Sequence, residues 1–317
     1  MTGTLLRGLA AGAAGTTLLN AYTYLDMAVR GRPASSTPDR LVEAVADRAG
    51  WQIPGKGEER DSRRTAIGAL AGIGNGLATG VLASVARTAG VRFSPVVGAA
   101  AAGAVAMAAQ DVPVTLLGVD DPRSWDRTAW LTDISAHLAY GAGVQAVLEA
   151  IPTPKERATP RGPARAGLVV RSALLGVANG ARSSVAFAAT ALTDPAGGGA
   201  AKKLAAVGLL GAELTADKKP ETPVRTGAAG LPPRFLGAAT GAVALARRER
   251  ANAAVPVLAG AAGAAAGTWG GLAWRRRASE RLSYTNAALV EDGVALLLAA
   301  LATLPGRTRR PQVAASR

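Results

Sequence analysis

Long apolar runs, separated by short polar or charged stretches, dominate this chain. Nine of these runs are about 20 residues long and carry few charges, and about 20 apolar residues is the length that a helix needs to cross a bilayer. The pattern predicts an all-α polytopic integral membrane protein with about 8–9 transmembrane or re-entrant helices. The predicted spans lie near residues 4–26, 65–88, 94–118, 128–151, 166–192, 200–216, 228–246, 252–274 and 284–304.

The third of these runs contains an interruption. Its uncharged part extends only from Ser94 to Ala109, and the sequence Gln110-Asp111-Val112-Pro113 follows directly. Because a proline inside a helix removes a backbone hydrogen bond, the pattern indicates a re-entrant or broken helix. Such irregular backbone is tolerated at membrane depth where protein shields it from lipid.

The segment between the first two runs, residues 27–64, is polar and reads as a loop. Within it, Thr37 is a favourable N-cap, Pro38 suits the first helical position, and Gly50 suits the position just after a helix. We therefore expect one short helix inside this loop.

A stretch rich in proline and charge divides the chain near its middle, and this composition is typical of a connecting segment. The sequence thus predicts two membrane lobes of similar size. The predicted parts are an N-terminal membrane lobe (1–151), a linker (152–165), a C-terminal membrane lobe (166–304) and a disordered tail (305–317).

Glycine recurs at every fourth position in two of the apolar runs. In water each interior glycine costs a helix about 1 kcal/mol relative to alanine, whereas in a bilayer small residues four apart let two helices approach closely. We expect these glycines to form helix-packing ridges. They are Gly68, Gly72, Gly76 and Gly80 in one run, and Gly263, Gly267 and Gly271 in the other.

Basic residues outnumber acidic ones, 36 to 22, and the formal net charge is +14. Such an excess suits either nucleic acid or anionic lipid headgroups. Arginine clusters at 247–250, 275–277 and 307–310 lie at the ends of apolar runs, which favours headgroups. We therefore expect a multi-pass protein of the bacterial plasma (inner) membrane that contacts anionic headgroups and does not bind nucleic acid.

The chain contains no cysteine and a single histidine. Thiol catalysis and cysteine-ligated metals are therefore excluded, and we predict no metal or other cofactor. The sequence also lacks the zinc-protease helix motif, the phosphate-binding loop and the nucleophile elbow of serine hydrolases. These absences favour a protein that is not an enzyme.

Ionisable residues inside predicted spans are the candidates for function, because such groups usually face a partner or a water-filled cavity. Asn179 and Arg182 are three residues apart and are expected to share one face of a helix, while Glu213 and Asp217 are four apart. Together with Glu291, these residues form a candidate polar path. The competing interpretation is a structural ion pair between Arg182 and one of the three acids.

Asp133 and His137 are also four residues apart on one predicted helix. A carboxylate in that position can orient and charge the imidazole, as a proton relay requires. The alternative is a histidine that is simply hydrogen-bonded within a helix interface.

From about residue 166 to residue 304 the chain resembles an uncharacterised family of bacterial integral membrane proteins, known as a domain of unknown function. The resemblance implies a membrane protein and supplies no activity. It rests on Gly180-Ala181-Arg182, on the Glu-x-x-x-Asp-Lys-x-Pro element of Glu213, Asp217, Lys218 and Pro220, on Pro233-Arg234-x-x-Gly237-Ala238, and on Glu291-Asp292.

Intramembrane charges on glycine-rich helices favour a permease- or channel-like protein for a small solute or ion. The alternative is a structural or assembly subunit of a membrane complex, because glycine ridges also suit contacts between proteins. Either function is compatible with a homo-oligomer or with a membrane-protein partner. Ridges that serve partners are expected on the outer surface of the fold, and ridges that serve internal packing are expected to be buried.

Overall fold

The computed structural model describes residues 2–159, 161–197, 199–216, 225–227 and 229–304. Over these residues the chain is all-helical, with 12 α-helices and no strand, and helix accounts for 79%. The helices form two compact units, Met1–Thr159 and Pro160–Arg317. The division falls within the predicted linker, and the predicted tail 305–317 lies outside the described residues.

The N-terminal unit contains five long or medium helices and one short one. They are α1 (Thr2–Arg30), α2 (Thr37–Ala49), α3 (Glu58–Ala89), α4 (Pro95–Leu116), α5 (Arg127–Ala150) and α6 (Pro154–Ala158). A 3-10 turn at Pro122–Ser124 precedes α5, and the Asp121 side chain accepts a hydrogen bond from the Arg123 backbone N–H there.

The C-terminal unit contains six helices. They are α7 (Ala166–Ala181), α8 (Val185–Leu192), α9 (Ala200–Ala216), α10 (Leu231–Arg248), α11 (Ala254–Ala278) and α12 (Tyr284–Thr303).

Glycines form the central seam of the N-terminal unit, where α1 runs antiparallel to α3. A methyl group on Gly8 would lie 2.6 Å from the Val81 Cα, and one on Gly12 would lie 2.7 Å from the Leu77 Cα. Real Cβ atoms essentially never come so close, so only glycine permits this approach of the two backbones.

A second glycine seam holds the C-terminal unit together, between α7 and α11, which run parallel. A methyl group on Gly263 would lie 2.9 Å from the Val177 backbone nitrogen, and one on Gly180 would lie 2.7 Å from that of Thr268. These two helices make the closest pairing of the unit, and α10 and α12 pack against α7 from other sides.

Most glycines of the predicted ridges serve internal packing. Gly76 and Gly80 face α1, and Gly263 and Gly267 face α7. Gly72 is different, because a methyl group placed there would meet no atom within 4 Å. Of the two remaining ridge glycines, Gly68 lies against Pro38 of α2, and Gly271 lies against charged side chains described below.

Four described helices are long and apolar enough to cross a membrane, namely α3, α4, α11 and α12. Only 22% to 39% of the most apolar 18-residue window of each is buried within the fold. The apolar residues of these helices therefore face outwards for the most part, which suits a membrane environment better than water.

Three expectations about helix boundaries were wrong. The polar segment 27–64 is mostly helical, since α1 continues to Arg30 and α3 already begins at Glu58, although the short helix inside it is present as α2. As part of this first error, Ser36 and not Thr37 occupies the N-cap position of α2. The third run is one continuous helix, α4, which contains Pro113 in its last turn, where the missing N–H removes one hydrogen bond and the helix ends three residues later at Leu116.

The third error concerns the predicted span 166–192, which is two helices and not one. The chain leaves the helical conformation at Arg182, whose φ of −139° and ψ of 110° are extended, and resumes it at Val185. This interruption, at Arg182, Ser183 and Ser184, is called the α7–α8 break below.

Candidate functional site

The α7–α8 break exposes backbone groups that a continuous helix would pair internally, and polar side chains satisfy them. Glu213 of α9 accepts four hydrogen bonds from the two serines of the break. Its Oε1 accepts from the Ser183 N–H (2.5 Å) and hydroxyl (2.7 Å), and its Oε2 from the Ser184 N–H (2.8 Å) and hydroxyl (2.5 Å). A carboxylate at the N-terminal end of α8 is also favoured by the helix dipole.

Asn179 bridges the two sides of the break. Its amide nitrogen donates to the Arg234 carbonyl oxygen (2.7 Å), and its amide oxygen accepts from the Ala186 N–H (2.9 Å) in the first turn of α8. Arg234 in turn donates through Nε to the Gly180 carbonyl oxygen (3.0 Å) at the end of α7. Because the freed groups have specific partners, the interruption is a built feature of the fold.

Arg182 is almost completely buried, with 1% of its surface exposed, and it reaches across to α12. Its Nε donates to Oδ1 of Asp292 (2.6 Å), and its Nη2 lies 3.4 Å from Oε2 of Glu291. Its Nη1 donates to the carbonyl oxygen of Ala181 (2.6 Å). A buried guanidinium is tolerable only with such partners.

Two further arginines converge on Glu291. Arg225 donates through Nη1 to Oε1 (2.6 Å), and Arg275 at the end of α11 donates through Nε to Oε2 (2.7 Å). We call Arg182, Arg225, Arg275, Glu291 and Asp292 the C-terminal charge cluster.

Glycine makes room for the C-terminal charge cluster. A methyl group on Gly271 would collide with Oε1 of Glu291 and would lie 2.9 Å from Nη1 of Arg225. Glu291 lies about 10 Å along α12 from its first residue, at the helical rise of 1.5 Å per residue. Both acids of the cluster therefore lie within a helix that is long and apolar enough to span a membrane.

The structure separates some of the predicted polar-path residues and unites others. Arg182 meets Glu291, as the ion-pair interpretation expected, whereas Glu213 binds the serines of the break and not Arg182. Asn179 and Arg182 do not share a helix face, because Arg182 lies beyond the end of α7. Asp217 lies outside the described residues.

Sequence reasoning missed the roles of Arg225, Arg275 and the serine pair. Arg275 was expected only to flank a span, although its position one turn before the end of α11 places it beside α12. Ser183 and Ser184 carried a usable signal, because paired serines within an apolar run compete for backbone hydrogen bonds and favour a helix end.

The predicted Asp133–His137 pair forms in the N-terminal unit. The Nδ1 atom of His137 lies 2.9 Å from the carbonyl oxygen of Asp133 and 3.3 Å from the Oδ1 atom of Asp133, and the imidazole is buried. This geometry fits a hydrogen-bonded histidine in a helix interface and equally a relay. Over the described residues, no group of three or more His, Asp or Glu side chains is arranged to hold a metal ion.

The N-terminal unit also contains a buried arginine that sequence reasoning did not single out. Arg7 of α1 donates through Nη1 to Oε2 of Glu156 (2.5 Å), through Nε to the Ser84 hydroxyl (3.0 Å), and through Nη2 to the Ser84 carbonyl oxygen (3.0 Å) and the Thr88 hydroxyl (3.1 Å). We call Arg7, Ser84, Thr88 and Glu156 the N-terminal charge cluster.

Glu156 is held by the short helix α6. Thr153 and Glu156 form a capping box, in which each side chain bonds the backbone N–H of the other residue. Burial alone would raise the pKa of Glu156, but the hydrogen bonds from Arg7 and from the Thr153 N–H outweigh burial and lower the pKa below its ordinary value.

No family model, curated protein or solved structure matches this chain. The resemblance to the bacterial membrane family stays a prediction. Its described elements nevertheless come together in space, since Arg182, Glu213, Arg234 and the Glu291-Asp292 pair all surround the α7–α8 break or contact residues that do. Gly237 of the same set lies against Asn179 and the Ser183 carbonyl.

Proposed function

We propose that this chain is a multi-pass protein of the bacterial plasma membrane that allows a small solute or ion to pass the bilayer. The observation that carries this proposal is the C-terminal charge cluster beside the α7–α8 break. Interrupted helices with buried polar groups are the usual construction of solute sites in membrane transporters. Charged side chains at membrane depth are also costly enough that they generally mark a pathway.

The number of arginines around Glu291 supports solute passage better than a purely structural role. A structural ion pair needs one carboxylate for one guanidinium, whereas here Glu291 receives hydrogen bonds from Arg225 and Arg275 and also lies beside Arg182. A network of this kind has alternative pairings of similar geometry, which lets a passing ion or polar solute replace one partner by another.

The test is flux across vesicles that contain the purified protein. Chloride, acetate, phosphate and potassium would be followed with a potential-sensitive dye, and glycerol and urea by light scattering. We expect at least one of these probes to cross faster than in protein-free vesicles. Failure of every probe to do so would overturn the proposal.

The matched variants are Arg182→Lys and Arg171→Lys. Lysine keeps the charge of Arg182 but carries all its donors on one nitrogen, so it cannot reproduce the separate Nε, Nη1 and Nη2 bonds. We therefore expect flux to fall about tenfold, the value of one charged hydrogen bond. Arg171 pairs with Glu249 at the opposite end of α7, and its replacement is expected to leave flux unchanged. Unfolding temperatures of both variants would show that each protein is folded.

A role as an assembly subunit is the second candidate, and α9 favours it. Leu204, Val207 and Leu209 of this helix are 72%, 54% and 53% exposed, and Ala206 is its only buried residue. Gly208 and Gly211 of the same helix would accept a methyl group without meeting any atom within 4 Å. Both glycines therefore lie on the outer surface of the unit, where glycines that serve a partner are expected. A native mass spectrum of the purified protein that shows a stoichiometric second protein, together with no flux in vesicles, would favour the assembly subunit.

A further inference from the structure

A groove of about 340 Å³ runs along the surface of the C-terminal unit between α11 and α12. The side of α7 forms its floor, and its walls are almost entirely apolar. The residues that define it are Gly267, Gly270, Trp274, Val290, Val294 and Leu298. Because α11 and α12 are both long and apolar enough to span a membrane, the groove opens towards the region that acyl chains would occupy.

Glycine on α11 creates the width of this groove. Gly270 has no atom within 4 Å of the position that a methyl group would take, although its neighbour Gly271 is closely packed against Glu291 and Arg225. The wall on α12 extends from Val290 to Leu298, which is about 12 Å along a helix. A straight apolar slot of this length is close to the depth of one leaflet's hydrocarbon, about half of 30 Å.

One end of the groove is aromatic and strongly basic. The Nε1 of Trp274 donates to the Ala287 carbonyl oxygen (3.3 Å), which fixes the indole at this end. Arg276 and Arg277 follow directly on α11 and are exposed, as is Arg281 in the next turn, with Glu280 as the one acid among them. Tryptophan beside arginine at the end of an apolar helix is typical of headgroup depth.

We propose that the groove between α11 and α12 binds one acyl chain of an anionic phospholipid, whose phosphate lies among Arg276, Arg277 and Arg281. Charge complementarity selects this occupant, because an uncharged amphiphile would gain nothing from the exposed arginines. The apolar walls favour the acyl chain of the lipid, and the groove ends where the basic residues begin. This inference is argued from the apolar walls and the exposed arginines, whereas solute passage was argued from the buried charge cluster, whose Glu291 also lines the groove.

Retention of lipid by the purified full-length protein tests the proposal. The detergent-solubilised protein would be stripped of lipid and then titrated with phosphatidylglycerol or with phosphatidylcholine of identical acyl chains, and bound lipid would be counted by native mass spectrometry. We expect one phosphatidylglycerol to bind at least about tenfold more tightly than phosphatidylcholine.

Two variants assign this binding to the groove. Gly270→Leu places a side chain in the slot from a Cβ position that has no atom within 4 Å, and we expect it to abolish the tight site. The matched control Gly293→Leu lies on α12 outside the groove, where the Cβ position is equally open, and it is expected to bind as the unmodified protein does. Replacing Arg276 and Arg277 together by glutamine is expected to remove the preference for phosphatidylglycerol while weak binding of both lipids remains.

Equal binding of the two lipids by the unmodified protein would overturn the proposal, as would tight binding that survives Gly270→Leu. Formation of a dimer that Gly270→Leu disrupts would instead assign the groove to a second copy of the chain. Flux measured on the same variants separates this inference from the proposed function, because loss of the lipid site with normal flux overturns neither.

Discussion

Among the described residues, the most deeply buried arginine of each unit is Arg7 or Arg182, and the surroundings of the two differ in kind. Arg7 lies within the continuous helix α1, and its guanidinium contacts one carboxylate together with the hydroxyl and carbonyl oxygens of neighbouring helices. Arg182 lies at a helix break, and the carboxylate that it shares also receives two other arginines. Burial of a charge therefore does not by itself indicate a functional site.

The N-terminal and C-terminal charge clusters differ in what surrounds their carboxylates. The N-terminal charge cluster joins α1, α3 and α6. Arg7 donates to Glu156, and Nε of Arg87 lies 3.7 Å from Oε1 of the same carboxylate, which suits a structural tie between helices. The C-terminal charge cluster has several donors for one acceptor, lies on a glycine that leaves room for it, and adjoins a broken helix and an apolar groove. The glycine, the broken helix and the groove beside the C-terminal charge cluster distinguish it from the N-terminal one.

The largest expected effect comes from Arg7→Gln. Removing one partner of a buried ion pair leaves the other charge uncompensated, so we expect the free energy of unfolding to fall by about 4 kcal/mol. Denaturant unfolding in detergent would measure the loss. Flux per folded molecule is expected to be unchanged. An Arg7→Gln protein that is stable but inactive would contradict the structural role of the N-terminal charge cluster.

Gly271→Val is expected to act on the C-terminal charge cluster without removing any charge. Its side chain would collide with Glu291 and Arg225, and overpacking of this kind costs about 2 kcal/mol. We expect flux to fall together with stability. At the neighbouring Gly270 the Cβ of a valine would meet no atom within 4 Å, so Gly270→Val controls for valine in α11. Equal flux in both variants would contradict the role of the cluster.

Acid should weaken the N-terminal unit. Because the folded-state pKa of Glu156 lies below its ordinary value of 4.5, its ionised form stabilises the fold above that value. This stabilisation is lost as the pH falls through the lower, folded-state pKa. Thermal unfolding between about pH 6 and about pH 3 would show the loss.

The control for the acid effect is Glu156→Gln. This variant is expected to be less stable near neutral pH, because Arg7 loses its carboxylate, and to depend less on pH below 4.5. An acid dependence identical to that of the unmodified protein would show that other carboxylates are responsible.

The sequence was sufficient for features that depend on local pattern. Helical class follows from the apolar runs, the short helix α2 from Pro38 and Gly50, and the close helix seams from glycines spaced by four. The ion pair of Arg182 with Glu291 was among the pairings considered, because buried charges need partners.

The sequence could not show which of several similar residues pair with each other in the tertiary structure. The three acids considered for Arg182 are chemically alike, and only the arrangement of the helices shows that Glu213 satisfies the Ser183 and Ser184 backbone instead. Similarly, Arg7 resembles an ordinary early cation until α3 and α6 surround it. Long-range partners of single residues leave no periodic signal.

The most direct test of the difference between the two clusters is flux per folded molecule in Arg182→Lys and Arg7→Lys, measured side by side in vesicles with a probe that the unmodified protein passes. Both substitutions conserve charge at a buried site and remove the same forked donor. We predict a fall of about tenfold for Arg182→Lys and no change for Arg7→Lys once the folded fraction is taken into account. Equal flux in the two variants would contradict the assignment of the C-terminal charge cluster as the functional site.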